Sequence, residues 1–253
     1  PLLLTQIPPG EHQFRLERER YSTKMLEARI KKGERRDLST KLLYEPTPIV
    51  GKDFTNGAGL RMVWVNSLGC WVAATETPQQ AYQALIDENP SQIKGANLPV
   101  TGVTWSASTN FCDKLTISDR GQGFVPKGWK YSLPTDKQWS EFVRGTTLDQ
   151  SVTSVAISRE APSEVASMEA NRFGLHDVRG NVWEWCADWY TLDVFNREQR
   201  ENASGKPDRV GTEYKVLRGG SWSRSMESNL DPDYRLLADP TAHSNYETGF
   251  RVV

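Results

Sequence analysis

Apolar and polar positions alternate with a period of two at the start of this chain and give way to aromatic-rich runs further on. His12-Gln13-Phe14-Arg15-Leu16 follows a Pro8-Pro9-Gly10 turn and reads as a strand. A turn at Glu17 to Tyr21 leads to a second strand over Thr23 to Ile30. Lys31-Lys32-Gly33-Glu34 then turns the chain into a third around Leu38 to Leu43. Residues 1–43 therefore form a small β segment, and residues 44–59, opening on Tyr44-Glu45-Pro46-Thr47-Pro48, form a stiff linker. The main domain, 60–253, begins with Leu60-Arg61-Met62-Val63-Trp64-Val65, whose β propensity suits a buried strand, and Cys70-Trp71-Val72-Ala73 reads as the next.

Helical spacing appears three times. Thr77-Pro78-Gln79-Gln80 predicts a capping box, with Pro78 at the first helical position and Ala81, Ala84 and Leu85 facing inward. Ser106 is expected to cap a second helix that turns Phe111, Cys112 and Leu115 inward. A third starts at Thr135, boxed by Gln138, and presents Trp139, Phe142 and Val143. From Tyr190 onward turns dominate, with Val216-Leu217-Arg218 and Phe250-Arg251-Val252 as closing strands. No tandem repeat or low-complexity tract is present.

Composition narrows the function classes. Nine tryptophans in 253 residues must largely line core or pocket, since exposing so much aromatic area promotes association. The net charge of -1 provides no global field that selects nucleic acid or an anionic membrane. No apolar run approaches the roughly 20 residues that span a bilayer. The chain starts at Pro1 without a signal-like segment, which reads as a piece of a longer protein. Cys70, Cys112 and Cys186 lack metal or redox spacing and read as buried thiols, with a Cys70–Cys186 disulfide as the alternative. His12, His176 and His243 lack the companion carboxylate of a metal triad, and no phosphate loop, nucleophile elbow or His-Glu-x-x-His motif occurs.

Five motifs stand in a fixed order: Pro99-Val100-Thr101-Gly102-Val103-Thr104-Trp105, Leu133-Pro134-Thr135-Asp136-Lys137-Gln138-Trp139, the run Gly174 to Trp185, Leu217-Arg218-Gly219-Gly220-Ser221-Trp222 and Gly249-Phe250-Arg251. In them the chain resembles the formylglycine-generating enzyme (sulfatase-modifying factor) family. That resemblance implies an α+β, C-type-lectin-like fold with few short elements and long loops. It also implies a copper-binding cysteine pair just after the Gly-Gly-Ser-aromatic turn. Here that stretch reads Ser221-Trp222-Ser223-Arg224-Ser225-Met226-Glu227-Ser228-Asn229 and has no thiolate, the soft ligand Cu(I) requires. No copper and no catalysis are expected. The leader resembles the closing half of a PEGA domain, with Pro8-Pro9-Gly10-Glu11 at the motif, which would suit a bacterial cell-envelope protein.

Two sites follow from the resemblance. One structural Ca²⁺ is expected on Asp177, the main chain of Gly180 and Val182, and Glu184, a mixed oxygen set that suits a hard cation. The alternative is that Glu184 and Asp188 bond indole N–H groups and loop amides. The segment 222–246 combines rigid aromatics with short polar groups, the chemistry of adaptable recognition. It resembles the mutable surface of diversity-generating retroelement variable proteins. The implied ligand-binding residues are Trp222, Ser223, Arg224, Ser225, Met226, Glu227, Asn229, Asp231, Tyr234, His243, Asn245 and Tyr246. The expected function is non-catalytic binding of a protein or glycan. An oxidoreductase of the same family and a regulatory domain of a larger signalling protein are the alternatives.

Overall fold

Alternation in the leader produces a two-stranded antiparallel ribbon in the computed structural model, which describes residues 6–16, 24–42, 48–152, 160–190, 214–223, 227–241 and 246–253. Strands β1 (Gly10–Leu16) and β2 (Lys24–Ile30) pair with Phe14 opposite Leu26 and His12 opposite Ala28. These side chains share one face, and Gln13 donates to Glu27 (2.8 Å) across the other. The expected third strand does not form: residues 34–42 are irregular, and Leu43 lies outside the described residues. Residues 1–47 and 48–253 are separate compact units.

In the second unit a hairpin of β4 (Arg61–Val65) and β5 (Cys70–Ala73) carries the short β3 (Phe54–Thr55) at its edge. Its strands are apolar on both faces because each face meets its own core. Met62, Trp71 and Ala73 join a cluster with Phe111, Leu115, Trp183, Trp185 and Phe250, while Val63, Val65 and Val72 join Trp139, Phe142, Leu175 and Val216. A four-stranded sheet repeats the arrangement. Its order is β8 (Leu236–Ala238), β7 (Lys215–Arg218), β6 (Trp183–Trp189), β9 (Thr248–Gly249), with β9 parallel to β6 and the other pairs antiparallel. Trp183, Trp185 and Leu217 face the first core, Cys186 and Val216 the second.

Helices α1 (Gln79–Ile86), α2 (Trp105–Gly121) and α3 (Asp136–Phe142) occupy the predicted places, but only α3 is capped as the sequence predicts, by the Thr135–Gln138 box. Thr77 caps nothing. Its N–H and C=O are spent on Phe250 and Val100, which pins it ahead of the helix, so Pro78 becomes the cap and Gln80 donates to Asn97 instead. In α2 the cap is Thr104, whose Oγ1 accepts from Ala107 N (3.0 Å), and Ser106 is exposed inside the first turn.

Residues 250–253 add no regular strand, contrary to expectation. They act as a tie: Phe250 and Val252 accept from Thr77 and Ala73, and Val253 exchanges two bonds with Ser132. The three cysteines are free, Cys112 and Cys186 buried and Cys70 half-buried, so the Cys70–Cys186 disulfide is absent. Desolvation pushes all three thiols up, away from thiolate chemistry. Among the described residues no helix is long and apolar enough to cross a membrane.

Candidate ligand-binding surface

Strand β7 delivers the chain into Gly219-Gly220-Ser221-Trp222. Both glycines have positive φ, and a Cβ on Gly220 would lie 2.7 Å from the Leu230 side chain, so the turn needs glycine to pack against the 227–230 helical turn. Trp222 N donates to Asn181 O (2.7 Å), and Trp183 N donates to Glu247 O (2.7 Å). Both partners lie in or beside the start of β6, so the two ends of the segment meet there. Ser221 ties them together, its hydroxyl donating to the Glu247 carboxylate (2.5 Å).

The result is a cavity of about 350 Å³ lined by Trp222, Tyr246 and Glu247 together with Gln92, Ile93, Thr101, Glu160 and Pro162. Tyr246 is 53% exposed, and Trp222 is half-buried with its indole Nε1 lacking a hydrogen-bond partner. Two carboxylates and two aromatic faces share the lining. Of the predicted ligand-binding residues, Trp222 and Tyr246 are brought together here. Ser223 is half-buried beside them and accepts from Ser221 through its carbonyl. Asn229, Asp231 and Tyr234 fall on a neighbouring stretch, where Tyr234 packs 6.1 Å from the Trp183 ring and Asp231 accepts from Asp233 N. Glu227 opens the 227–230 turn. Arg224, Ser225, Met226, His243 and Asn245 lie outside the described residues. Gln92, Ile93 and Glu160 escaped sequence reading because nothing local marks them; they are contributed by distant loops.

Behind this surface sits a buried clamp that the sequence did not disclose. Asp136, at the start of α3, accepts from Arg218 at the end of β7 and from Arg235 just before β8 (2.9 and 3.0 Å). Arg218 also donates to Pro232 O and stacks 4.4 Å over Trp139. Arg179 adds a bond to Leu230 O (2.7 Å). The 230–236 backbone is thus held to the core by charged side chains, of which Asp136, Arg218 and Arg235 are buried and Arg179 half-buried.

Nearby, Lys215 on β7 lies between the Trp105 and Trp189 rings (3.9 and 3.8 Å to the centroids) and donates to Ala187 O. Burial lowers its ammonium to about 8, and the Asp188 charge opposes that shift. Burial likewise raises Asp188 to about 6, although its carboxylate accepts from Asp136 N (2.6 Å).

The run Gly174 to Glu184 folds into a buried polar knot. Gly180 has φ 86°, and a Cβ there would stand 2.0 Å from Val152 O, so no other residue fits. Glu184 accepts from the Trp139 indole (3.0 Å) through one oxygen and from Arg251 (2.8 and 3.0 Å) through the other. Glu76, unmarked by any motif, accepts from Asn181 Nδ2 and Val182 N. Burial first, then the Asp177 and Glu184 charges, pushes its carboxyl well above the ordinary range, against Arg251. Asp177 accepts from Ala166 N through one oxygen, while the other is buried without a partner. Of the two carboxylates expected to bind calcium, Glu184 has its charge met by a guanidinium, and only Asp177 retains an open oxygen. Among the described residues no group of three or more His, Cys, Asp or Glu side chains gathers as a metal site.

Comparison with known proteins places these features. The family described as sulfatase-modifying factor enzyme 1-like domain matches residues 10–253. The serine/threonine-protein kinase pkn1 of Chlamydia caviae is 32% identical over 167 residues, covering 62% of this chain and 24% of that protein. The formylglycine-generating enzyme of Thermomonospora curvata is 39% identical over 93 residues, 34% of this chain and 29% of that enzyme. The chain thus spans about a quarter of the length of such curated relatives. Among solved structures, Treponema denticola variable protein 1 superposes with a TM-score of 0.58 at 21% identity, covering 81% of this chain and 97% of that one. PvdO from Pseudomonas aeruginosa gives 0.58 at 14% identity, covering 97% and 91%. The fold is α+β and C-type-lectin-like, as the motifs imply.

Proposed function

The chain belongs to the family of sulfatase-modifying factor enzyme 1-like domains, and within it we propose a non-catalytic member that binds a ligand on the surface formed by residues 222–246. The observation that carries this reading is the convergence of Trp222 and Tyr246 on one cavity beside two carboxylates. The aromatic faces with Glu160 and Glu247 suit a basic side chain of a protein ligand. The fold shared with a protein called a variable protein supports the reading, as does the absence of thiols from the stretch after the Gly-Gly-Ser turn.

A random peptide library panned on the wild-type protein, with a glycan array in parallel, tests the proposal. The expected result is enrichment of Arg- or Lys-bearing peptides whose binding is lost in Trp222→Ala with Tyr246→Ala at unchanged melting temperature. Clones or glycans that bind both proteins equally would refute it. Oxidation of a peptide cysteine to an aldehyde by the Cu(I)-treated protein would instead establish the family oxidase. Diversification is tested at the locus: a neighbouring reverse transcriptase and a near-copy of codons 222–246 differing only at adenines are expected if the surface is mutable.

The kinase relatives favour a second reading, in which the domain regulates a larger signalling chain. Binding on the same surface serves that role too, with the ligand as the input.

A further inference from the structure

A second cavity, of about 150 Å³, opens between the β3–β5 ribbon and the loop 124–132. Its walls are Phe54, Met62, Trp71, Val125 and Trp129, with Cys70 and Gln138 at one side. The aromatic rings are fixed by contact with one another: Trp71 meets Phe54 edge-on (5.3 Å, 86°), Trp64 at 4.8 Å and Trp129 at 4.9 Å. The indole N–H groups of Trp71 and Trp64 donate to Lys52 O and Asn66 Oδ1 (2.7 Å each), so both polar edges are satisfied by loop acceptors.

The void is not free to collapse, because its loop wall is bonded from several sides. Tyr131 donates its hydroxyl to Asp119 (2.8 Å) and its N–H to Thr116, Arg120 donates to Trp129 O (3.0 Å), and Ser132 pairs with Val253. Close packing is the rule for interiors, and an apolar void of this size takes up a single aromatic ring. Lys130, exposed and without an ion pair among the described residues, belongs to the lining and is the cation of this site.

We propose that this cavity is a binding site for a small aromatic carboxylic acid, its ring among Phe54, Trp71 and Trp129 and its carboxylate at Lys130. The lysine disfavours a cationic ligand, and the volume excludes fused polycyclic rings. The site lies outside the surface of residues 222–246 and does not depend on it.

Calorimetry of the full 253-residue chain with phenylacetate and with its neutral analogue phenylacetamide tests the assignment. Phenylacetate is expected to saturate one site with a Kd of about 1 mM or tighter, in line with the per-atom binding energy of small ligands. Lys130→Glu, an exposed change that leaves the fold intact, should weaken phenylacetate about fivefold or more and leave phenylacetamide within about twofold, as a single exposed charge contact dictates. Trp129→Ala should weaken both at least about tenfold, because a ring wall is lost. No saturable binding below about 10 mM, equal effects of Lys130→Glu on both compounds, or loss of binding in Trp222→Ala but not Trp129→Ala would overturn the proposal.

Discussion

Replacing Asp136 by Asn is the sharpest test of how the 230–236 backbone is held. Asp136 is 4% exposed and is the carboxylate for both Arg218 and Arg235, themselves 0% and 9% exposed. Asparagine keeps the shape, one acceptor oxygen and the backbone N–H that bonds Asp188, so the change isolates charge. Two buried guanidiniums are then left facing each other without their anion. Removing one partner of a buried pair costs about 3–5 kcal/mol, mostly the penalty of the stranded charge. For a unit of this size roughly 2–4 °C is lost per kcal/mol, so the melting temperature should fall by roughly 6–20 °C. Glu141→Gln, which breaks the partly exposed pair with Arg144, is the control and should cost no more than about 1 kcal/mol. Urea unfolding and calorimetry give the magnitude, and hydrogen exchange should show residues 230–238 losing protection before the α2 core. A loss under about 1 kcal/mol, or uniform loss of protection, would refute the clamp, since it would mean water or another anion satisfies both arginines.

Two further outcomes follow from the same chemistry. Asp188, raised to about 6, keeps its proton in the folded protein at pH values where the unfolded chain has lost it, so the folded state binds more protons and stability falls as pH rises from about 4 to 6. Asp188→Asn should remove a stability change on the order of 3 kcal/mol across that range in pH-dependent urea titrations, and an unchanged profile would assign it elsewhere. Calcium at millimolar concentration, or its removal by a chelator, should leave the melting temperature within about 1 °C, because Arg251 and the Trp139 indole hold Glu184. A saturable rise of several degrees, lost in Asp177→Ala, would show that calcium binds after all.

Much of the site was legible because its signals are local and chemically unusual. A Gly-Gly-Ser-Trp turn, a Gly-Phe-Arg element and the absence of cysteine between them are properties of single segments. Trp222 and Tyr246, which the structure brings to one cavity, are named on that basis, and α3 announces its own start through Thr135 and Gln138. The capping of α1 and α2 was misread because Thr77 and Ser106 are acceptable caps in isolation, and only the bonds of Thr77 to Phe250 and Val100, and of Thr104 to Ala107, determine where each helix begins. Strand β6 went unnoticed because both of its faces are buried, so Trp183 to Trp189 shows no polar alternation.

The amino-acid sequence alone determined the family, the aromatic core and the two ends of the segment 222–246, because each is written in contiguous residues. Tertiary structure decided which distant groups meet. It set Arg251 against Glu184 across 67 positions and Arg235 against Asp136 across 99, and it brought Gln92 and Glu160 to the cavity of Trp222. Those pairings depend on how two sheets divide two cores, and a buried charge has no signature in sequence until the partner that neutralises it is in place.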